Sequence, residues 1–166
     1  MFRGEVTADL SQAARYVELV KPDDALRAAR RALACLQEDT TVQLNRIAVW
    51  GLDFGATAAL NLAANEPKLR GAIVWQGGTS PEQETLRRIA APLLAIFADT
   101  DVNRLRAEIT MFSQQLAQAG VRNEMVILSG NRDFSDPAYG AGYSAGLTDE
   151  SWRRTLRFLD LQLRVR

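Results

Sequence analysis

Five consecutive residues combine a reactive side chain with the backbone freedom to expose it: Gly51-Leu52-Asp53-Phe54-Gly55. An apolar run over residues 46–50 precedes them, and an alanine-rich run over residues 56–64 follows. The two glycines allow a sharp turn from a strand into a helix, where a side chain would collide with either element. The carboxylate of Asp53 is ionised near neutral pH, so it could attack an electrophilic carbon without a neighbouring base.

Hydrolysis by Asp53 would also require a group that activates water. Histidine usually supplies that base, and this chain contains none. A carboxylate is a weak base unless burial raises its pKa. Arg132 cannot act as a base, because a guanidinium group stays protonated. The carboxylates that could replace the histidine are Asp101, Glu124, Asp133 and Asp136.

Asp53 also has a structural interpretation. At the start of a helix, an aspartate can accept hydrogen bonds from the free amides of the first turn and favour the helix dipole. Such a cap would preserve the turn in a protein without catalysis. The sequence favours this role over that of a nucleophile.

A second pair of carboxylates suggests a different chemistry. Asp99-Thr100-Asp101 follows an apolar run and resembles the first motif of haloacid-dehalogenase-type phosphatases, in which two aspartates hold Mg²⁺. That motif expects Thr or Val where this chain has Asn103, and a downstream lysine that is missing after Lys68. A magnesium-dependent phosphatase is therefore the weaker alternative.

Four short apolar runs predict the strands that would position these groups. They cover residues 46–50, 71–75, 93–98 and 124–128, and each is nearly unbroken rather than alternating, which is typical of a parallel sheet buried on both faces. Helical patterns lie before and between them. Their predicted ranges are residues 7–20, 23–37, 56–64, 81–89 and 104–118, followed by a final helix capped by Thr148. The pattern predicts an α/β fold, a three-layer sandwich with a mostly parallel sheet of about four strands.

Length and composition narrow the possibilities further. The 166 residues predict a single domain over 1–166, with a helical lead-in at 1–38 and the elements from the first strand to the C-terminal helix at 46–166. Basic and acidic residues balance at 20 each, so we expect no nucleic-acid partner and no membrane attraction. The one cysteine, Cys35, is interpreted as a buried apolar residue in a helix and, with no signal-peptide core, indicates the cytoplasm.

Taken in chain order, these segments resemble the dienelactone hydrolase family of α/β-hydrolases. The turn at residues 51–55 resembles the nucleophile elbow of that fold. The runs 22–29, 71–77 and 92–101 resemble the lead-in to the elbow strand, the strand that ends in an aromatic and a glycine, and the strand and loop that carry the triad acid. By this resemblance the catalytic positions are Asp53, Asp101 and Arg132, where Arg132 replaces the histidine and Asp133 the glycine that follows it.

The resemblance implies a truncated member of the family, similar to the C-terminal half of a complete hydrolase. We expect a catalytically degenerate protein that acts as a small-molecule-binding or assembly module. The alternative is a small active hydrolase of the ester, lactone or dehalogenase type that uses Asp53 as its nucleophile. No cofactor and no metal are expected. The residues expected to contact a ligand are Phe54, Gln76, Asp133 and Tyr139.

The resemblance also bears on assembly. In the family the strand before the elbow lies inside the sheet, whereas here it would be an exposed edge that invites pairing. A homodimer or another partner is expected to cover that edge. Within the chain, the N-terminal helix could cover it instead.

Overall fold

A computed structural model describes residues 6–79, 81–99 and 104–164. Contacts between Cα atoms divide the chain into two compact units, Met1–Leu44 and Asn45–Arg166. The single domain expected over 1–166 stays a prediction. The first unit contains helix α1, Leu10–Leu19, and helix α2, Pro22–Glu38.

The second unit is built on a sheet of four parallel strands in the order β1-β2-β3-β4. The strands are β1, Ala48–Leu52; β2, Gly71–Trp75; β3, Leu93–Asp99; and β4, Asn123–Ser129. Between and after them lie α3, Phe54–Asn65; α4, Gln83–Arg87; α5, Arg104–Ala119; a short 3-10 helix, Pro137–Gly142; and α6, Ala145–Leu163. The strand order follows the chain order, as expected when each connection carries a helix back across the sheet.

Alternate residues of the central strands face two different helical layers. Trp75 of β2 donates a hydrogen bond from Nε1 to Oγ1 of Thr155 in α6 at 3.2 Å. Phe97 of β3 instead contacts Phe112 of α5 edge to face, with ring centroids 6.4 Å apart. Strand β2 and residues 93–98 of β3 are buried, which explains their unbroken apolar sequences. The predicted α/β fold with a parallel sheet and flanking helices is confirmed.

The core on the α6 side of the sheet is aromatic and aliphatic. Trp50, Trp75 and Trp152 contact one another edge to face at centroid distances of 4.8–5.6 Å. Phe134, fully buried, lies 5.9 Å from Trp75 and ties the loop after β4 to this core. The buried members of the cluster are Ile73, Trp75, Leu94, Ile96, Ala98, Val126, Phe134 and Phe158.

Three details differ from the sequence-based predictions. Strand β1 begins and ends two residues later than predicted, because Gly51 and Leu52 still pair with β2 before the chain turns. Helix α6 begins at Ala145, since the side chain of Ser144 accepts a hydrogen bond from the amide of Leu147 and so forms its cap; Thr148 lies inside the helix. Cys35 is exposed rather than buried.

Candidate functional site

The turn after β1 holds Asp53 in a strained conformation. Its φ of 46° and ψ of −115° lie outside the regions that L-amino acids favour. The amide of Asp53 donates to the carbonyl of Trp75 at 2.9 Å, so the turn is fixed to the end of β2. A methyl group at Gly51 would lie 2.0 Å from the carbonyl oxygen of Gly55, which explains the first glycine of the motif. At Gly55 itself, a methyl group would meet no atom within 4 Å outside its own helical turn.

The end of β2 is built to accept this turn. A Cβ atom at Gly77 would lie 2.3 Å from the carbonyl oxygen of Asp53, so only glycine permits the observed approach. The preceding residue, Gln76, also has a positive φ, of 55°, although it carries a side chain. Strain at two adjacent turns of a site is typical of functional positions, because the surrounding structure must hold it.

The carboxylate of Asp53 is paired with Arg132. Nη2 of Arg132 donates to Oδ1 of Asp53 at 2.9 Å, and both side chains are more than half exposed. Asp53 occupies the N-cap position of α3, but its side chain accepts no hydrogen bond from the amides of the first turn. The capping role favoured from the sequence is therefore wrong, because the strained backbone directs the carboxylate towards Arg132.

Local hydrogen bonds hold the loop that carries Arg132. Oδ1 of Asn131 accepts from the amide of Asp133 at 3.0 Å, which closes a turn around Arg132. The carbonyl of Phe134 accepts from the amide of Ser144 at 3.0 Å and from Oγ1 of Thr148 at 2.8 Å. The buried ring of Phe134 and these bonds anchor the loop on both sides. Arg132 therefore projects from a defined turn.

A small cleft of about 200 Å³ lies beside this pair. It is lined by Gln76, Gly77, Thr79, Phe97, Glu108 and Arg132. Gln76 is only 7% exposed, and its Oε1 accepts from the amide of Ala98 at 3.2 Å. Its Nε2 is buried and has no hydrogen-bond partner among the residues that the structure describes. Because an unpaired buried donor costs about 1–3 kcal/mol, this amide marks a place where an acceptor would be stabilising.

The structure brings together some of the predicted site residues. Asp53, Arg132 and Asp133 are neighbours, with Nε of Arg132 3.8 Å from Oδ1 of Asp133. Gln76 shares the cleft with Arg132. Phe54 is the first residue of α3, and Tyr139 lies exposed in the 3-10 helix; neither lines the cleft. Asp101 and the central part of the Asp99–Asp101 motif fall outside the described residues.

Sequence reasoning missed four residues of the cleft, namely Gly77, Thr79, Phe97 and Glu108. Thr79 follows the Gly77–Gly78 pair at the carboxyl end of β2, where parallel sheets commonly bind ligands, and that position was the available signal. Phe97 read only as core. Glu108 lies on α5, and no local pattern separates it from the other polar residues of that helix.

The described residues contain neither a cluster suited to a metal ion nor a helix suited to cross a membrane. No group of three or more His, Cys, Asp or Glu side chains among them is arranged to hold a metal ion. None of their helices is long and apolar enough to cross a membrane. The cytoplasmic location expected from the sequence stays a prediction.

In α/β-hydrolases, a strained turn between a strand of the sheet and a helix exposes the nucleophile, which is serine in the usual motif. This chain has a parallel sheet and such a turn, with Asp53 exposed at it. Comparison with known families agrees. The sequence model of the dienelactone hydrolase family matches residues 1–163. The chain belongs to the dienelactone hydrolase family, and the predicted resemblance is confirmed.

Individual relatives are distant in sequence. The chain is 22% identical over 124 residues to the "Putative carboxymethylenebutenolidase" of Escherichia coli (strain K12), a match that covers 69% of this chain and 46% of that protein. The chain thus spans about half the length of the curated relatives that it matches. Activities of those longer proteins therefore come to this chain only as proposals.

Solved structures show the same fold. The structure named m3DLH is 27% identical, with a TM-score of 0.82 over 97% of this chain and 71% of its own. The "Putative Dienelactone Hydrolase" of Klebsiella pneumoniae is 19% identical, with a TM-score of 0.81 over 92% of this chain and 68% of its own.

Proposed function

We propose that this chain is a non-hydrolytic member of the dienelactone hydrolase family that binds a small carboxylate in the cleft beside Asp53. The main support is the buried Nε2 of Gln76, a hydrogen-bond donor without a partner in the described part of the chain. Arg132 lines the same cleft and spends one of its five N–H donors on Asp53. Two residues with hydrogen-bond donors, one of them charged, therefore line the same cleft.

The dimensions of the cleft support a small ligand. About 200 Å³ is below the range of roughly 300–1,000 Å³ typical of drug-sized ligands. A short mono- or dicarboxylate has oxygen atoms that could accept hydrogen bonds from the amide of Gln76 and from the remaining N–H groups of Arg132. Glu108, the acidic residue of the lining, already has an interaction within the protein.

The pairing of Asp53 also supports binding without turnover. A carboxylate that accepts a short hydrogen bond from a guanidinium group has part of its charge neutralised, which weakens it as a nucleophile. An ester formed on Asp53 would still need a base to activate water. The side chain that donates to the carboxylate is Arg132, which cannot accept a proton.

One observation favours the alternative, a hydrolase that uses Asp53. The strained turn exposes the carboxylate, whose side chain is 54% accessible, at the position where the fold carries its nucleophile. Incubation with an activated ester or a haloalkane, followed by intact-mass spectrometry, separates the two proposals. A covalent adduct on Asp53 would support the hydrolase; no mass increase would support the binding protein.

The binding proposal is tested by isothermal titration with acetate, succinate and the neutral succinamide. We expect succinate to bind and succinamide not to bind. Gln76→Glu keeps the acceptor for the Ala98 amide but replaces the orphan donor by a negative charge, so it should abolish binding. Gln118→Glu, an exposed change of the same type on α5, is the control. Equal affinity of Gln76→Glu and the native protein for succinate would refute the proposal.

A further inference from the structure

A second cleft, larger and strongly basic, lies at the amino ends of the strands. Its volume is about 570 Å³, and four of the residues that line it are Arg46, Arg70, Arg122 and Arg164. Arg70 immediately precedes β2 and Arg122 immediately precedes β4, so both stand at the amino ends of parallel strands. Asp53 and Gln76 stand at the carboxyl ends. A strand of five residues separates the two clefts by roughly 15 Å.

Two of the four arginines stabilise the end of α6. Nε of Arg46 donates to the carbonyl of Leu163 at 2.6 Å, which satisfies one of the last carbonyls of the helix. Nε of Arg164 donates to Oδ1 of Asp160 at 2.9 Å, and this hydrogen bond raises the pKa of the Arg164 guanidinium above its usual value. These two side chains therefore have a structural role in the cleft.

The other two arginines lack such a role. Nη2 of Arg122 donates to the neutral Oε1 of Gln162 at 3.2 Å. The Arg70 side chain has no hydrogen bond or ion pair with any other part of the chain that the structure describes. Neither guanidinium is paired with a carboxylate among these residues. The cleft therefore holds two guanidinium charges without a carboxylate partner in the described part of the chain.

The backbone of Arg70 and of Arg122 is fixed by hydrogen bonds to the neighbouring strand segments. The amide of Arg70 donates to the carbonyl of Ile47 at 2.8 Å, and the carbonyl of Arg122 accepts from the amide of Leu93 at 2.9 Å. Both residues are therefore fixed by the backbone hydrogen bonds at the amino ends of the strands. A fixed backbone loses less conformational freedom on binding a ligand than the backbone of a mobile loop does.

We propose that this cleft is a binding site for a small anion that carries two or more phosphate groups, held by Arg70 and Arg122. Each guanidinium presents a planar fork of N–H donors that matches phosphate oxygens in pairs. A single carboxylate would compensate only one of the two charges, whereas a diphosphate or triphosphate compensates both. The volume falls within the roughly 300–1,000 Å³ typical of small-molecule sites.

The test is isothermal titration of the full chain with pyrophosphate, tripolyphosphate and citrate at constant ionic strength. We expect tripolyphosphate to bind more tightly than citrate. Arg70→Gln and Arg122→Gln should each weaken binding about tenfold or more, as expected for the loss of a charge-assisted hydrogen bond. Arg122→Lys keeps the charge but not the fork, and should recover part of the affinity. Arg87→Gln, an exposed change on α4 outside the cleft, is the control.

Adenosine triphosphate and a sugar bisphosphate in parallel titrations distinguish a free polyphosphate from a phosphorylated metabolite, because a metabolite would gain affinity from its organic part. Equal affinities in Arg70→Gln, Arg87→Gln and the native protein would overturn the proposal, as would the same weak affinity for all anions. Arg70 and Arg122 are both exposed, so their loss is not expected to unfold the chain, and circular dichroism verifies this. Gln76→Glu should leave polyphosphate affinity unchanged, which keeps this site separate from the carboxylate cleft.

Discussion

Arg132 donates a hydrogen bond of 2.9 Å to the carboxylate of Asp53 across 79 residues of sequence. By family resemblance, these two residues stand where a nucleophile and its histidine would be. The contact replaces a proton-transferring pair by an ion pair in which neither partner can serve as the base. It thereby joins the strained turn after β1 to the loop after β4.

The first prediction concerns hydrolysis. We expect purified protein to hydrolyse p-nitrophenyl acetate and a dienelactone no faster than its Asp53→Ala variant, because Arg132, the group paired with Asp53, cannot activate water. Initial rates measured over a range of enzyme concentrations are the test. A rate that rises with native enzyme and collapses only in Asp53→Ala would contradict the expectation.

The second prediction concerns backbone strain at Asp53. Asp53→Gly should be more stable to urea than Asp53→Ala by about 1 kcal/mol, because glycine adopts a positive φ without steric cost. The two variants share the loss of the ion pair with Arg132, so the difference in their free energies of unfolding reports the backbone strain, reduced by the larger unfolded-state entropy of glycine. If Ala proved as stable as Gly, the turn would relax in solution and the strain would be absent.

The third prediction concerns the approach of the turn to β2. Gly77→Ala should lower the free energy of unfolding by about 3 kcal/mol, since its methyl group would overlap the carbonyl oxygen of Asp53. Gly55→Ala is the matched control, and there stability should stay the same or rise by up to about 1 kcal/mol. Thermal and urea unfolding measure both. Similar losses in the two variants would mean that the close approach is not what requires glycine.

The fourth prediction concerns the sheet edge formed by β1. This strand pairs only with β2 in the four-stranded sheet, and none of its residues carries a charge that would oppose pairing with another strand. We expect a homodimer, seen as twice 18.3 kDa in sedimentation equilibrium at micromolar concentration.

A charge placed on the edge tests the geometry of that dimer. Ala48→Lys on β1 should yield monomer, while Ile127→Lys on β4, the opposite edge, should leave the dimer intact. A folded 18.3 kDa species from the native chain would refute pairing through β1. If only Ile127→Lys dissociated the dimer, the interface would lie at β4 and the prediction for β1 would be wrong.

The sequence predicted those parts of the fold that depend on local pattern. The β2 and β3 strands are unbroken apolar runs because both faces of each strand are buried, and their positions follow directly from that run. The end of β1 was misplaced because Gly51 and Leu52 read as turn residues, although they still pair with β2. The start of α6 was misplaced because both Ser144 and Thr148 are residue types that cap helices. The structure shows that Ser144 is the cap, since its hydroxyl accepts from the amide of Leu147, while the hydroxyl of Thr148 donates to the carbonyl of Ser144.

The candidate site was predictable only in part. Resemblance aligned Arg132 with the position of the histidine, and so indicated its proximity to Asp53. That Nη2 of Arg132 would displace the capping bonds of Asp53 depends on a backbone conformation that no local pattern specifies. The orphan amide of Gln76 likewise results from how β2 and β3 end beside one another, since its oxygen is taken by Ala98 of the neighbouring strand.

The strained turn at Asp53 matters for protein engineering as well as for this chain. The backbone features that are hardest to design, a positive φ and the close approach to Gly77, are already present. The side chains at Asp53 and Arg132 reach within hydrogen-bond distance of each other from two anchored segments. Installing serine at the first and histidine at the second would place a nucleophile and a base on these two segments. The chain therefore offers a starting point for building hydrolytic catalysts by substituting side chains on an unchanged backbone.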